Sequence, residues 1–271
     1  KTVAPSGGDF TSLAAAVNWF KTNYPDFTTS DIIGKIEITG NWTSADTNPV
    51  TTAGLTTGPD NYLFIYTDAN NRASAKWETN KYRLEVGFYN KAIDVATDCL
   101  RVDGLQIGRQ EGALYNYSVI DFDSTYTSAS DFRFSNLIVK GPGSSGDTGR
   151  TDGFSVWKDN VNLKIWNTVV YNTGAGTHYG AIYWQSYGSS SLIIYNSVII
   201  GLEYGINFSG GSTEAIVKNT YAYGTTAAYG GDSKNFSLTT SASNDTTGSP
   251  GLQTIPYSTS TFVNVTPGSE D

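Results

Sequence analysis

Four apolar runs in this chain carry an Asn at the same place: "RFSNLIVKG" (133–141), "LKIWNTVVYN" (163–172), "LIIYNSVIIG" (192–201) and "AIVKNTYAYG" (215–224). Aligned, they put Asn136, Asn167, Asn196 and Asn219 in register, 31, 29 and 23 residues apart. "RVDGLQIG" (101–108) fits one step earlier, with Gly104 in the Asn place. A fixed period in this range identifies a repeat architecture and takes precedence over any local reading.

A second marker accompanies the first. "DGFSVW" (152–157), "YGAIYW" (179–184) and "YGINFS" (204–209) each set a Gly before a short strand, with Gly153, Gly180 and Gly205 spaced 27 and 25 residues apart. Each period therefore holds one Gly-led strand, a turn, and an Asn-centred pair of strands. Three short strands per period predict an all-β, single-stranded right-handed parallel β-helix, its coils stacked at about 4.8 Å and like side chains forming ladders along the axis. Around the Asn the alternation is strict: Phe132/Phe134, Leu163/Ile165, Leu192/Ile194 and Ala215/Val217 point inward, and Arg133, Lys164, Trp166 and Lys218 outward. Asn tolerates left-handed backbone at a bend, and its amide can bond the Asn of the next coil. The four Asn are accordingly expected to form a structural ladder.

The rest of the chain fits one domain. Residues 1–25 form an N-terminal cap, 26–90 irregular early coils, 91–240 regular coils, and 241–271 a loose C-terminal coil and tail. In "GDFTSLAAAVNWFKTNY" (8–24), Asp9 is placed to cap an amphipathic helix whose stripe is Phe10, Leu13, Val17 and Phe20. Such a helix would hide the unpaired edge of the first coil. Strands are expected at 35–40, 61–68, 82–88 and 92–95, with Asn41–Asp60 as a lateral flap. The chain opens at Lys1 and holds no Met, which implies a trimmed start.

Composition excludes several classes. The net charge is −8 and no Lys/Arg-rich block exists, so a nucleic-acid groove is not expected. One cysteine, Cys99, forbids an internal disulfide and reads as a buried, inert thiol. No run of 18 apolar residues predicts a membrane span. Six N-x-S/T sequons, at Asn41, Asn116, Asn207, Asn235, Asn244 and Asn264, follow from a composition rich in Asn, Ser and Thr.

With its coils and its "TVAPSGGDFTSLAAAV" opening, the chain resembles the pectate-lyase-like superfamily of right-handed parallel β-helix proteins. The "GDFTSL" start and "KWETNKYRL" (76–84) also resemble β-helix modules of phage virion and bacterial surface proteins. The superfamily includes polysaccharide lyases, hydrolases, esterases and non-enzymatic surface proteins, so the residues must choose among them.

"TDGFSV" (151–156) resembles a polygalacturonase strand, with Asp152 at the place of the acid, but the accompanying Asp-Asp pair and Gly-His-Gly are absent. His178, the one His, lies in a Gly-rich loop. Lyase chemistry would use clustered acids for Ca²⁺ and a basic residue near the sugar. Asp121 and Asp123 share one strand face and could hold Ca²⁺; Asp147, Arg150 and Asp152 form a second group. The pectin methylesterase pattern and "GxSxG" are missing. Aligning the Gly-led strands sets Trp157 and Trp184 at one outward position of adjacent coils, a platform on which sugar rings could stack unless the loop 142–150 covers it.

These observations lead to an expectation of a non-catalytic structural or glycan-binding protein on a phage particle or cell surface, without cofactor unless Ca²⁺. Its partners would be polysaccharide or other subunits of a surface assembly, with homo-oligomers possible. Two alternatives stand beside it: a polysaccharide depolymerase using Asp121, Asp123 and Asp152, and a subunit of an extracellular filament.

Overall fold

A computed structural model of the chain describes residues 1–74, 76–87, 89–110, 117–142, 151–173, 180–186, 188–209, 214–231, 236–243, 245 and 253–255. Its strands fall into three sheets of nine, eight and seven strands, in which every strand pairing among the described residues is parallel. The chain visits them in rotation. Asn162–Trp166 lies in sheet 1, Val169–Thr173 in sheet 2 and Gly180–Trp184 in sheet 3; Ser191–Tyr195, Val198–Gly201 and Tyr204–Phe208 repeat the circuit one layer on. This arrangement is consistent with a β-helix-like solenoid.

Sheet 1 shows why these residues make strands. Leu100, Phe132, Leu163, Leu192 and Ala215 stack in register, and so do Val102, Phe134, Ile165, Ile194 and Val217. All ten are buried. Each large side chain so buried stabilises the fold by about 1.5–3 kcal/mol. Where the three sheets meet, rings close edge to face: Phe122 on Phe132 at 5.0 Å and Phe134 on Phe154 at 5.4 Å. One continuous core runs from Val3 to Phe236.

The bend between sheets 1 and 2 is where the Asn residues sit. Asn136, Asn167, Asn196 and Asn219 have φ of 54, 51, 49 and 51°, and Gly104 takes the same place one coil earlier at 85°. The amides are linked: Asn167 Nδ2 donates to Asn136 Oδ1 (3.2 Å), Asn196 Nδ2 to Asn167 Oδ1 (3.4 Å), and Asn219 Nδ2 to Asn196 Oδ1 (3.2 Å). Asn136 Nδ2 ends the ladder on Asp103, and the Thr240 hydroxyl ends it at Asn219.

A hydroxyl ladder runs beside it that the sequence reading did not single out. Thr168, Ser197, Thr220 and Ser241 follow the bend residues and are buried. Each donates to the carbonyl two residues back. The backbone N–H of Leu137, Thr168 and Thr220 donates to the hydroxyl of the following coil, which satisfies bend groups that no strand partner reaches.

The N-terminal helix, Leu13–Asn23, buries Leu13, Ala16, Val17 and Phe20. Its cap is Ser12, not Asp9: the Ser12 hydroxyl accepts from Ala15 N, while Asp9 is drawn away by the Thr2 backbone, Thr2 hydroxyl and Lys1 ammonium. A four-residue helix, Phe27–Ser30, was not foreseen; Asp26 caps it through Thr29 N, with its carboxyl lowered to about 2 chiefly by the Thr28 hydroxyl bond.

Residues 41–60 are not a lateral flap. Asp46 bridges to Leu84 in line with sheet 2, Val50–Thr51 pairs with Ile93–Asp94 in sheet 3, and Trp42 is buried edge-on against Tyr82 at 4.9 Å. The Asp46 carboxylate also accepts from Leu13 N at 2.7 Å, so this segment completes the first coil and anchors the helix over it. At the other end Phe236–Thr239, Ala242–Ser243 and Gln253–Thr254 extend sheets 1 and 2. The weak strand that "STFVNVT" (260–266) suggests lies outside the described residues.

Candidate functional site

Sheet 3 brings the nominated acids of strand 120–122 together. Its outward row reads Thr51, Asp94, Asp121, Ser155, Tyr183 in register. Lys91, two residues before Ile93–Asp94, turns its ammonium into the acids: 2.9 Å to Asp94 Oδ1, 3.1 Å to Asp123 Oδ2 and 3.4 Å to Asp121 Oδ2. Asp121 and Asp123 thus do share a face, as their spacing predicts, with Asp121 buried and Asp123 half-exposed. Burial disfavours the Lys91 charge, but the attraction of Asp121 and bonds from Asp94 and Asp123 outweigh it and raise its pKa above the ordinary lysine value. A cation already stands among the three carboxylates, and among the described residues no group of three or more His, Cys, Asp or Glu has the disposition of a metal site. Bound there, Ca²⁺ would have to displace the ammonium.

Next to this cluster opens a cleft of about 290 Å³, lined in part by Thr51, Tyr89, Asn90, Lys91, Asp94 and Tyr117. Tyr89 is 54% exposed. Its signal in the sequence is "FYNK" (88–91), an aromatic-amide-cation run at the turn into a sheet 3 strand. The turn closes through Asn90 N donating to Gly87 O at 3.1 Å. Aromatic faces beside an amide, an ammonium and a carboxylate suit polyhydroxylated ligands, with rings for the sugar's apolar face and polar groups for its hydroxyls.

Asp152 leads into the next strand of the same sheet. It is fully buried ahead of Phe154–Val156, accepts from the Ser118 hydroxyl at 3.3 Å, and its carbonyl accepts from Val119 N. Asp147, Arg150, His178 and residues 143–150 of the suggested covering loop lie outside the described residues.

The Trp157/Trp184 platform does not form. Phe154 pairs with Ile182 and Val156 with Trp184, so Gly153 stands opposite Ala181 rather than Gly180. That one-residue difference reverses the face. Trp184 points inward, is 0% exposed, and stacks on Phe208 at 5.7 Å. Trp157 lies just past its strand, its backbone N–H donating to Phe122 O and its ring tilted against Tyr183 at 5.1 Å. Adjacent outward aromatics do occur on sheet 1, where Trp166 pairs in register with Tyr195 and both are half-buried.

Cys99 is buried, with its thiol pushed up to about 11 by burial, as expected of an inert cysteine. Among the described residues no helix is long and apolar enough to cross a membrane. Comparison with protein-family models, with curated proteins and with solved structures finds no match for the chain.

Proposed function

We propose that this chain is a non-catalytic, glycan-binding, right-handed parallel β-helix of the pectate-lyase-like kind, displayed on a phage particle or cell surface. The observation that carries the reading is the state of the acids. Glycoside hydrolysis needs two carboxylates flanking an accessible bond, and lyase chemistry needs a base held near neutrality. Here Asp121 and Asp123 are engaged by one ammonium, and Asp152 is fully buried with Ser118. What remains accessible beside them is the Tyr89 cleft, whose chemistry is that of recognition.

The test is to incubate the purified chain with a panel of neutral and acidic polysaccharides, measuring retention and chain length together. Retention without shortening, weakened by Tyr89→Ala, is the expected outcome. Shortening of any glycan would overturn the non-catalytic reading in favour of a depolymerase, with half-exposed Asp123 as the first acid to substitute. Absence of retention by every glycan would remove the binding role.

A further inference from the structure

We propose that the outer face of sheet 1 is a separate binding surface for an extended acidic polysaccharide, centred on Arg101, Arg133 and Lys164. The inference rests on the glycan-binding reading above and gives it a ligand class.

The three cations occupy one outward row on consecutive coils: Arg133 stands in register with Arg101 on one side and Lys164 on the other. All three lean on a single carboxylate. Asp131 lies 2.8 Å from Arg133, 3.2 Å from Lys164 and 3.7 Å from Arg101, and among the described residues no other carboxylate pairs with any of them. Burial would raise the Asp131 pKa, but the Arg133 and Lys164 bonds outweigh it and hold the carboxyl below its usual value, so it is charged near neutral pH. Three positive charges against one negative charge leave an excess of two. The neighbouring Asp103 adds nothing to that balance, because Arg72 pairs with it at 2.7 Å. In a chain of net charge −8, this is a local reversal of sign.

The face is built to hold a chain as well as a charge. Arg101 is fixed with its guanidinium 3.4 Å from the Tyr62 ring centre, while Arg133 and Lys164 are 39% and 41% exposed. Trp166, two residues along the strand from Lys164, and Tyr195, in register with it one coil on, present outward aromatic surface. Successive cations are about 4.8 Å apart along the axis, close to the length of one sugar in an extended polysaccharide. A glycan with one carboxylate per sugar would therefore meet one cation per coil, with Arg133, whose Nε donates to Asp131, offering its remaining N–H groups to the ligand. Duplex nucleic acid carries a charge about every 1.7 Å, a spacing that one cation per coil does not match.

The test uses the full chain in affinity gels containing alginate (one carboxylate per sugar), hyaluronate (one per two sugars) or neutral dextran. Expected results are retardation in the order alginate, hyaluronate, dextran, at least a ten-fold loss of alginate affinity in R133Q/K164Q, and a several-fold gain in Asp131→Asn. The three positions are partly exposed, Asp131 the least, and a single cooperative thermal transition verifies folding of both variants. Tyr89→Ala is expected to lower alginate affinity by less than R133Q/K164Q does. Alginate binding that survives R133Q/K164Q but is lost in Tyr89→Ala would overturn this assignment and leave the glycan-binding function standing. Absence of binding to any polysaccharide would overturn both.

Discussion

Sheets 1 and 3 are wound from the same chain in the same coils, yet they bury their residues differently. In sheet 1, Asn162–Trp166 and Ser191–Tyr195 alternate strictly between half-exposed and buried. In sheet 3, Phe154–Val156 and Gly180–Trp184 are buried at every position. Water on one side makes a strand's facing readable from its polarity; burial on both sides removes that signal. It also changes what polar residues do. On sheet 1 the outward cations stay partly hydrated around Asp131. On sheet 3 Asp121 is desolvated and paired with Lys91 at 3.4 Å.

The sharpest way to break this comparison is to make one substitution on both sheets. Trp184→Ala removes a fully buried ring from sheet 3 and is expected to cost about 3–5 kcal/mol. Trp166→Ala, outward on sheet 1, is expected to cost about 1 kcal/mol or less, in line with an ordinary surface position. Urea unfolding of the two variants beside the wild type measures both. Equal losses would mean that sheet 1 is as enclosed as sheet 3.

The same contrast explains what was legible. The period, the parallel strands and the Asn register could be read because each Asn interrupts an alternating strand whose outer face is wet. Asp121 and Asp123 were placed on one face for the same reason of period two. The sequence pattern sends Trp184 outward because Gly153 and Gly180 look equivalent, and nothing in a fully buried strand contradicts a slip of one residue. Lys91 and Tyr89 went unseen because they act from a turn, where no periodicity marks direction. The role of Asp46 depends on a contact between residues 13 and 46 that local pattern does not encode.

The second expected effect lies on sheet 3. Lys91→Gln leaves Asp94, Asp121 and Asp123 facing one another without a cation, at a cost of about 1–3 kcal/mol, reduced from the fully buried case because Asp123 is half-exposed. If the ammonium occupies the place of an ion, millimolar Ca²⁺ should leave the wild-type thermal midpoint unchanged and raise that of the variant. A Ca²⁺-dependent rise in the wild type would show that the ion can displace the lysine.

The third effect belongs to the bend. Asn196→Ala forces Ala to φ near 49° and breaks two amide links, one to each neighbouring coil. Since Asn196 is exposed, the lost bonds are partly replaced by water, and the expected cost is about 1–2 kcal/mol. Asn196→Gly keeps the backbone and loses only the links, so it is expected to cost less than about 1 kcal/mol. Equal losses in the two variants would assign the Asn to hydrogen bonding alone.

The smallest effect is set by pH and separates the two sheets by the direction in which they weaken. Burial would raise the Asp103 pKa, but bonds from Ser135, Asn136 and Arg72 outweigh it, so it stands below its usual value as Asp131 does. A carboxyl lowered in the folded state binds its proton later than in the unfolded chain. Its contribution is therefore full above the unfolded value of about 3.9 and is lost as pH falls through the folded one. Lys91, raised in the folded state, contributes fully below the unfolded lysine value of about 10.4 and loses that contribution as pH rises through its folded one. The thermal midpoint is thus expected to be flat from about pH 5 to 8 with respect to these groups and to fall in acid. Asp103→Asn should shallow the acid fall and leave the alkaline limb alone; Lys91→Gln should shallow the alkaline fall. An acid limb unchanged by Asp103→Asn would mean that the end of the Asn ladder holds its charge at no gain to the fold, and that the ladder is secured by its amides rather than by the carboxylate that terminates it.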